Sequence, residues 1–279
     1  MQETRNNNTA LDDTAGGVTV LEPGLLARPL TARSLIASVL LGLHPPRLPA
    51  HRLVQWCGLF GIAPGTARVA LSRMREQGDL LVDDGTYELA GRVLSRQAAQ
   101  DWSLEPKPHE WKTGWSFAVV IREARAPRAR AAFRNAMRRC HYAEVREGCW
   151  TRPDNLPRES ASPDLWAIVD AQCSWWVGRP DGDERVLAED LFNPRAWAQR
   201  ASELSDRLAS VTVGLRAGQP DHLADAFVAG AATLQHVRND PLLPREVLPG
   251  GWPGPELRDA YRKYQRAFST AATEWFRHP

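Results

Sequence analysis

The chain has 279 residues, more than one ordinary domain and enough for two or three. With 43% hydrophobic residues, 24% charged residues and a net charge of +2, it reads as a globular protein and not as a histone-like polycation. Its longest apolar run, SLIASVLLGL at 34–43, is shorter than the roughly 18 residues a membrane span needs, and the N-terminus lacks a signal-peptide core; a cytoplasmic protein with no membrane partner is expected.

Residues 1–27 have no sustained periodicity and are expected to form a disordered tail. From Arg28 the pattern changes. Thr31 can cap a helix in which Leu35, Ile36, Val39, Leu40 and Leu43 recur at helical spacing, and Pro45-Pro46 end it. A second helix is predicted over 49–59, with Leu53, Val54, Trp56 and Cys57 as its apolar surface. Phe60-Gly61-Ile62 makes a tight turn, and Pro64 suits the first turn of a third helix that ends at Gly78. Leu80, Leu81 and Val82, then Tyr87 and Leu89, read as two strands joined by the turn Asp83-Asp84-Gly85-Thr86. Three helices followed by a hairpin are the outline of a winged helix-turn-helix, assigned to residues 28–97.

The third helix divides into two faces. Ala67, Ala70, Leu71 and Met74 can pack inward; Thr66, Val69 and Arg73 lie opposite, flanked by Arg68, Ser72 and Arg75. Small residues at the N-terminal half allow close approach to base edges, and arginine can bond guanine or phosphate. Residues 28–96 hold nine arginines and five acids, a net +4 against +2 for the whole chain, and no lysine. Forked contacts are therefore expected, with Arg33 and Arg52 as further candidates for DNA contact.

A polar stretch at 98–112 reads as a linker. In 113–192, WSFAVVI at 115–121 is a strand and ARAPRARAAFRNAMRRC a basic helix with Phe133, Met137 and Cys140 on one side. Short strands are expected at 143–150 and 165–169, then a helical or extended piece carrying Cys173, Trp175 and Trp176. That order predicts a ferredoxin-like α+β domain. From 193 to 279 the pattern is helical: PRAWAQRASELSDRLASV, HLADAFVAGAATLQHVRN and a last helix over 255–276, interrupted by NDPLLPREVLPGGWPGPEL. The whole is an α+β multidomain chain.

LTARSLIASVL, APGTARVALSRMREQGDL and TYELAGR resemble the winged-helix domain of the PaaX family. HVRNDPLLPREVLPGGWPG resembles the family's C-terminal motif, and the segment from Trp115 through GCWTRP its central domain. The resemblance spans about 28–275. It implies a homodimeric repressor of an aromatic-acid catabolic operon such as phenylacetate catabolism. It would bind double-stranded palindromic operator DNA and be released by a small effector such as an aryl-acetyl-coenzyme A thioester. The family's central fold also resembles a CRISPR-associated nuclease that needs an acidic metal ligand after its first strand. Here Arg122 and Glu123 follow, with no aspartate, which predicts a dimerisation or ligand platform in its place. One departure from the family is the wing, whose tip is acidic where basic residues are usual; phosphates would repel it.

For the effector, Arg134 and Arg138 on the basic helix, Trp175 and Trp176, and His236 with Arg238 are the candidates: cations for phosphates, rings for an acyl group. No enzyme is expected. GxSxG, GxGxxG and P-loop motifs are missing, and Cys57, Cys140, Cys149 and Cys173 lie too scattered for a metal site, so no cofactor is expected either. The alternative is a protein-interaction module that uses the winged helix as a partner surface.

Overall fold

The computed structural model describes residues 30–43, 45–121, 126–218 and 222–277. The expected tail at 1–27 lies outside them.

α1 (Ala32–Leu41) starts at a reciprocal cap: Thr31 Oγ1 accepts from the Ser34 N–H, and Ser34 Oγ from the Thr31 N–H at 2.8 Å. α2 (Ala50–Gly58) and α3 (Pro64–Glu76) follow, then strands β2 (Leu80–Asp83) and β3 (Thr86–Leu89). The hairpin closes through Asp84 and Gly85, with φ of 41° and 69°. Two successive positive φ angles define a turn whose twist matches the strands, and an Asp-Gly pair is suited to it. A short strand, β1 (Arg47–Pro49), pairs with the other edge of β3, giving the antiparallel order β1-β3-β2. Sequence pattern did not announce β1: three residues ending in proline are too few to carry a period, and proline sits at a sheet edge without breaking the ladder.

The stretch expected to be a linker from 98 is helical up to 104, within α4 (Gly91–Leu104). Its polar side chains misled the reading because they are buried with partners. Gln97 Nε2 donates to the Leu41 and Leu43 carbonyls at 3.2 Å each, and Ser103 Oγ to the Gln100 carbonyl at 2.7 Å.

The central region runs β4 (Trp115–Val120), α5 (Pro127–Arg139), β5 (Ala143–Arg146), β6 (Cys149–Pro153), α6 (Pro163–Asp170) and β7 (Cys173–Gly178). The sheet is antiparallel, in the order β5-β6-β4-β7. One expectation is overturned here: 165–169 is the core of α6, not a strand. Pro163 stands in its first turn, Asp164 favours the positive helix end, and Leu165 and Val169, four residues apart, both face inward. A five-residue apolar run has too little length to separate the two periods. Phe133, Ala136, Met137 and Cys140 of α5 join Trp150, Leu165, Val169 and Cys173 in a core on one face of the sheet. α7 (Glu184–Phe192), which the pattern did not predict, supplies Leu187, Ala188 and Leu191 to a smaller core with Trp115 and Phe117 on the opposite face.

α8 (Pro194–Arg216), α9 (His222–Arg238) and α10 (Gly254–Arg277) complete the chain. They do not form a separate core. Trp56 of α2, fully buried, meets Phe60, Phe227, Phe268, Trp275 and Phe276 with ring centroids 5.2–6.2 Å away. One cluster of buried side chains therefore joins α1, α2 and α3 to α8, α9 and α10. Edge-to-face rings at such spacing add about 0.5–1.5 kcal/mol per pair beyond the area they bury.

Candidate nucleic-acid interface

α3 buries Ala67, Leu71 and Met74 against α1 and α2, which leaves the other face to solvent. Thr66, Arg68, Val69, Arg73 and Arg75 are all exposed there, Val69 by 50%. Ser72 is half-buried and donates to Glu76 Oε1 at 3.0 Å. Arg68, Arg73 and Arg75 have no acidic partner among the described residues; their charge is uncompensated. The helix begins at Ala63 and Pro64 without a side-chain cap, so its first N–H groups and positive dipole end also face solvent.

The two further arginines are differently placed. Arg33 pairs with Asp79 and donates to Gln77, tying the start of α1 to the loop after α3. Arg52 lies 5.8 Å from the centre of the Phe276 ring and donates to Gln55 at 3.3 Å. Both guanidinium groups have internal uses that compete with DNA. At the wing, Asp83 and Asp84 are exposed.

The six effector candidates are not brought together. Arg134 pairs with Glu144 and lies over Trp150 at 5.9 Å, and Arg138 is exposed farther along α5. Trp175 packs in the core with Tyr142 and Trp166 and donates to Asp170 at 3.0 Å, whereas Trp176, the next residue on the strand, points to the other face and is 64% exposed. His236 stacks on Trp197 at 4.5 Å with Nε2 3.0 Å from the Trp197 carbonyl oxygen, and Trp197 stacks in turn on Trp252 at 4.6 Å. Loss of water around His236 lowers its pKa. Only Arg238 of the six borders a cavity between α1, α9 and α10. Arg122 and Glu123 lie outside the described residues. Among those residues no cluster of His, Cys, Asp or Glu could hold a metal ion.

The DPLLP stretch has a structural role that its sequence did not disclose. Asp240, 1% exposed, accepts from Arg258 Nη2 at 2.8 Å and from the Leu242 N–H at 2.8 Å. The Leu242 carbonyl, held at φ 52°, accepts from Arg152 of β6 and from Asn155. Arg258 Nε reaches the Ser103 carbonyl at the end of α4 at 2.9 Å. His141 Nδ1 lies 3.0 Å from the Asp240 carbonyl oxygen. Loss of water, then the nearby Arg152 charge, lowers His141 to a pKa of about 3. Burial pushes the Asp240 carboxyl up, against the pull of Arg258. The loop thereby pins the central sheet, α4 and α10 at one point. The signal was present in the sequence as an aspartate and an arginine 18 residues apart, but only the fold makes them neighbours.

Residues 31–93 match the family model for PaaX-like protein, and residues 192–278 the model for the PaaX-like protein C-terminal domain. These matches define the class: a family of transcriptional regulators, not enzymes. The chain belongs to the PaaX-like protein family. Its structure is similar to that of an uncharacterized protein from Mycobacterium tuberculosis, at 36% sequence identity and a TM-score of 0.67, over 88% of this chain and 98% of that one. Comparison with the curated proteins finds no match. Among the described residues no helix is long and apolar enough to cross a membrane.

Proposed function

We propose that the protein binds double-stranded operator DNA through α3 and acts as a homodimeric, effector-responsive repressor, with an aromatic-acid catabolic operon as its target. The observation that carries this reading is the outer face of α3: three exposed arginines without acidic partners, beside Thr66, Ser72 and Val69, on a helix that follows a helix and a tight turn. In a winged helix-turn-helix this element enters the major groove. Arg73 and Arg68 are assigned to base edges and Arg75 to phosphate; Val69 suits a thymine methyl group. Arg33 and Arg52 hold the reading unit in shape. The acidic hairpin tip stays off the backbone.

The central region serves as a ferredoxin-like dimerisation platform. Its sheet exposes Val119 and Trp176 on the face that α7 covers only in part, and exposed apolar surface of that kind marks an interaction site. Two copies joined there would present two reading helices to half-sites about one helical turn apart. Such a regulator switches when a ligand favours a geometry that no longer spans them. Retardation of DNA from upstream of the protein's own gene, in a gel, tests the reading. Binding that weakens steeply as salt rises is expected. Failure to retard any upstream fragment would overturn it, and salt-insensitive association with another protein would favour the interaction-module alternative.

A further inference from the structure

The cavity between α1, α9 and α10 has no role in contacting DNA. Its volume is about 430 Å³, within the range of small-molecule sites, roughly 300–1,000 Å³. Phe227, Leu234, Phe268 and Phe276 give it aromatic and aliphatic walls; Ser34, Ser38, Gln100, Gln235 and Gln265 give it neutral polar groups. Arg238 is the one charged side chain on its lining.

Two features point to a ligand and not to mere imperfect packing. Tyr264 is 4% exposed and Tyr261 6%, both line the cavity, and neither hydroxyl has a hydrogen-bond partner among the described residues. A buried hydroxyl without a partner is unfavourable, and native proteins seldom leave one so. Burial raises the pKa of both, so each keeps its proton and can only gain by donating it to an acceptor. The second feature is Gly230. A Cβ there would stand 2.3 Å from the Tyr264 hydroxyl oxygen, so α9 needs a glycine to admit that hydroxyl to the wall.

We propose that this cavity binds a small aromatic carboxylic acid, its ring among the phenylalanines and its carboxylate taking hydrogen bonds from the tyrosines near Arg238. The charge balance selects the head group. One arginine with neutral neighbours suits a single negative charge; it does not match the several phosphate charges of a coenzyme A thioester, which would be buried largely uncompensated. Location supplies the consequence. α1 packs on α3, and α9 and α10 belong to the C-terminal helices, so a ligand here bears on how the reading unit sits against the rest of the chain. That regulatory part rests on the reading of the protein as a DNA-binding regulator; the site itself does not.

Titration calorimetry of the full chain with 2-naphthoate, and separately with octanoate and benzoyl-coenzyme A, tests the site. Saturable binding of naphthoate is expected. Tyr264→Phe should weaken it about tenfold, the worth of one charged hydrogen bond, with an unchanged or raised melting temperature because an unpartnered hydroxyl is removed. Ala231→Phe, on the cavity wall, should abolish binding. No heat of naphthoate binding at millimolar concentration, or equal affinity in all three proteins, would overturn the site. Preference for octanoate or for the thioester would overturn the ligand class. Gel retardation by upstream DNA without ligand separates the two readings. Retardation without naphthoate binding sinks the site alone; naphthoate binding without retardation sinks the regulator and leaves the site. An operator affinity unmoved by saturating naphthoate overturns the regulatory part.

Discussion

The arginines of α3 and those of the joint between β6 and α10 are the same residue type put to opposite uses. Arg68, Arg73 and Arg75 project from a helix into water with no acid beside them. Arg152 and Arg258 are buried, and their guanidinium groups are held by Asp240, Asn155 and the carbonyls of residues 103, 153, 242 and 254. The contrast follows from solvation. A hydrated arginine has charge to offer a phosphate, because its water and counterions leave when DNA arrives. A buried arginine must already have its partners, since an unpaired charge inside a protein is strongly unfavourable. Counting basic residues in the sequence cannot separate the two; solvent access and neighbouring acids can.

The largest effect should come from breaking the joint. Asp240→Ala leaves Arg258 buried without its carboxylate, and a loss of about 3–5 kcal/mol is expected in urea unfolding. Arg73→Ala, its counterpart on α3, should leave that unfolding curve in place.

Acid should reach the joint next. The unfolded chain takes up a proton at an ordinary histidine near pH 6.5, whereas folding lowers His141 to about 3. Because the unfolded state binds more protons between these values, the contribution of His141 is complete above about 6.5 and falls with pH below it, by about 1.4 kcal/mol per pH unit. Replacing His141 with Gln should flatten that part of the stability profile, and a difference profile with no slope between pH 6.5 and 4 would refute it.

On the solvent side of the comparison, Arg73→Ala should weaken operator binding by about 1–3 kcal/mol and alter base preference; a loss uniform across sequences would reassign it to phosphate. The smallest effect belongs to the wing. Asp84→Asn should tighten binding slightly and at low salt only, in fluorescence anisotropy, because exposed charges at a distance are screened.

Much of this architecture was legible in local pattern. The Thr31 cap, the period of α1, the proline that opens α3 and the Asp84-Gly85 turn are local signals, and local physics decides them. β1 and α6 were not legible, one because it is too short to show a period, the other because a five-residue run fits two. The polar half of α4 was misread because its glutamines and serine are satisfied by carbonyls distant in sequence. For the site, the exposed face of α3 followed from a helical wheel. The uses of Arg33 and Arg52, and the dispersal of Trp175, Trp176 and His236 over separate surroundings, required the tertiary contacts.

The shared core of α2 and α10 also bears on how the protein is made. Trp56 leaves the ribosome some 200 residues before its partners Phe268, Trp275 and Phe276. Until they arrive, the reading unit exposes the surface that α10 will cover, and contacts of such sequence separation form late. A chain ended prematurely within α10 would therefore lose more than its final helix. It would release a three-helix unit with an open apolar side, a target for chaperones and proteases before it could find an operator.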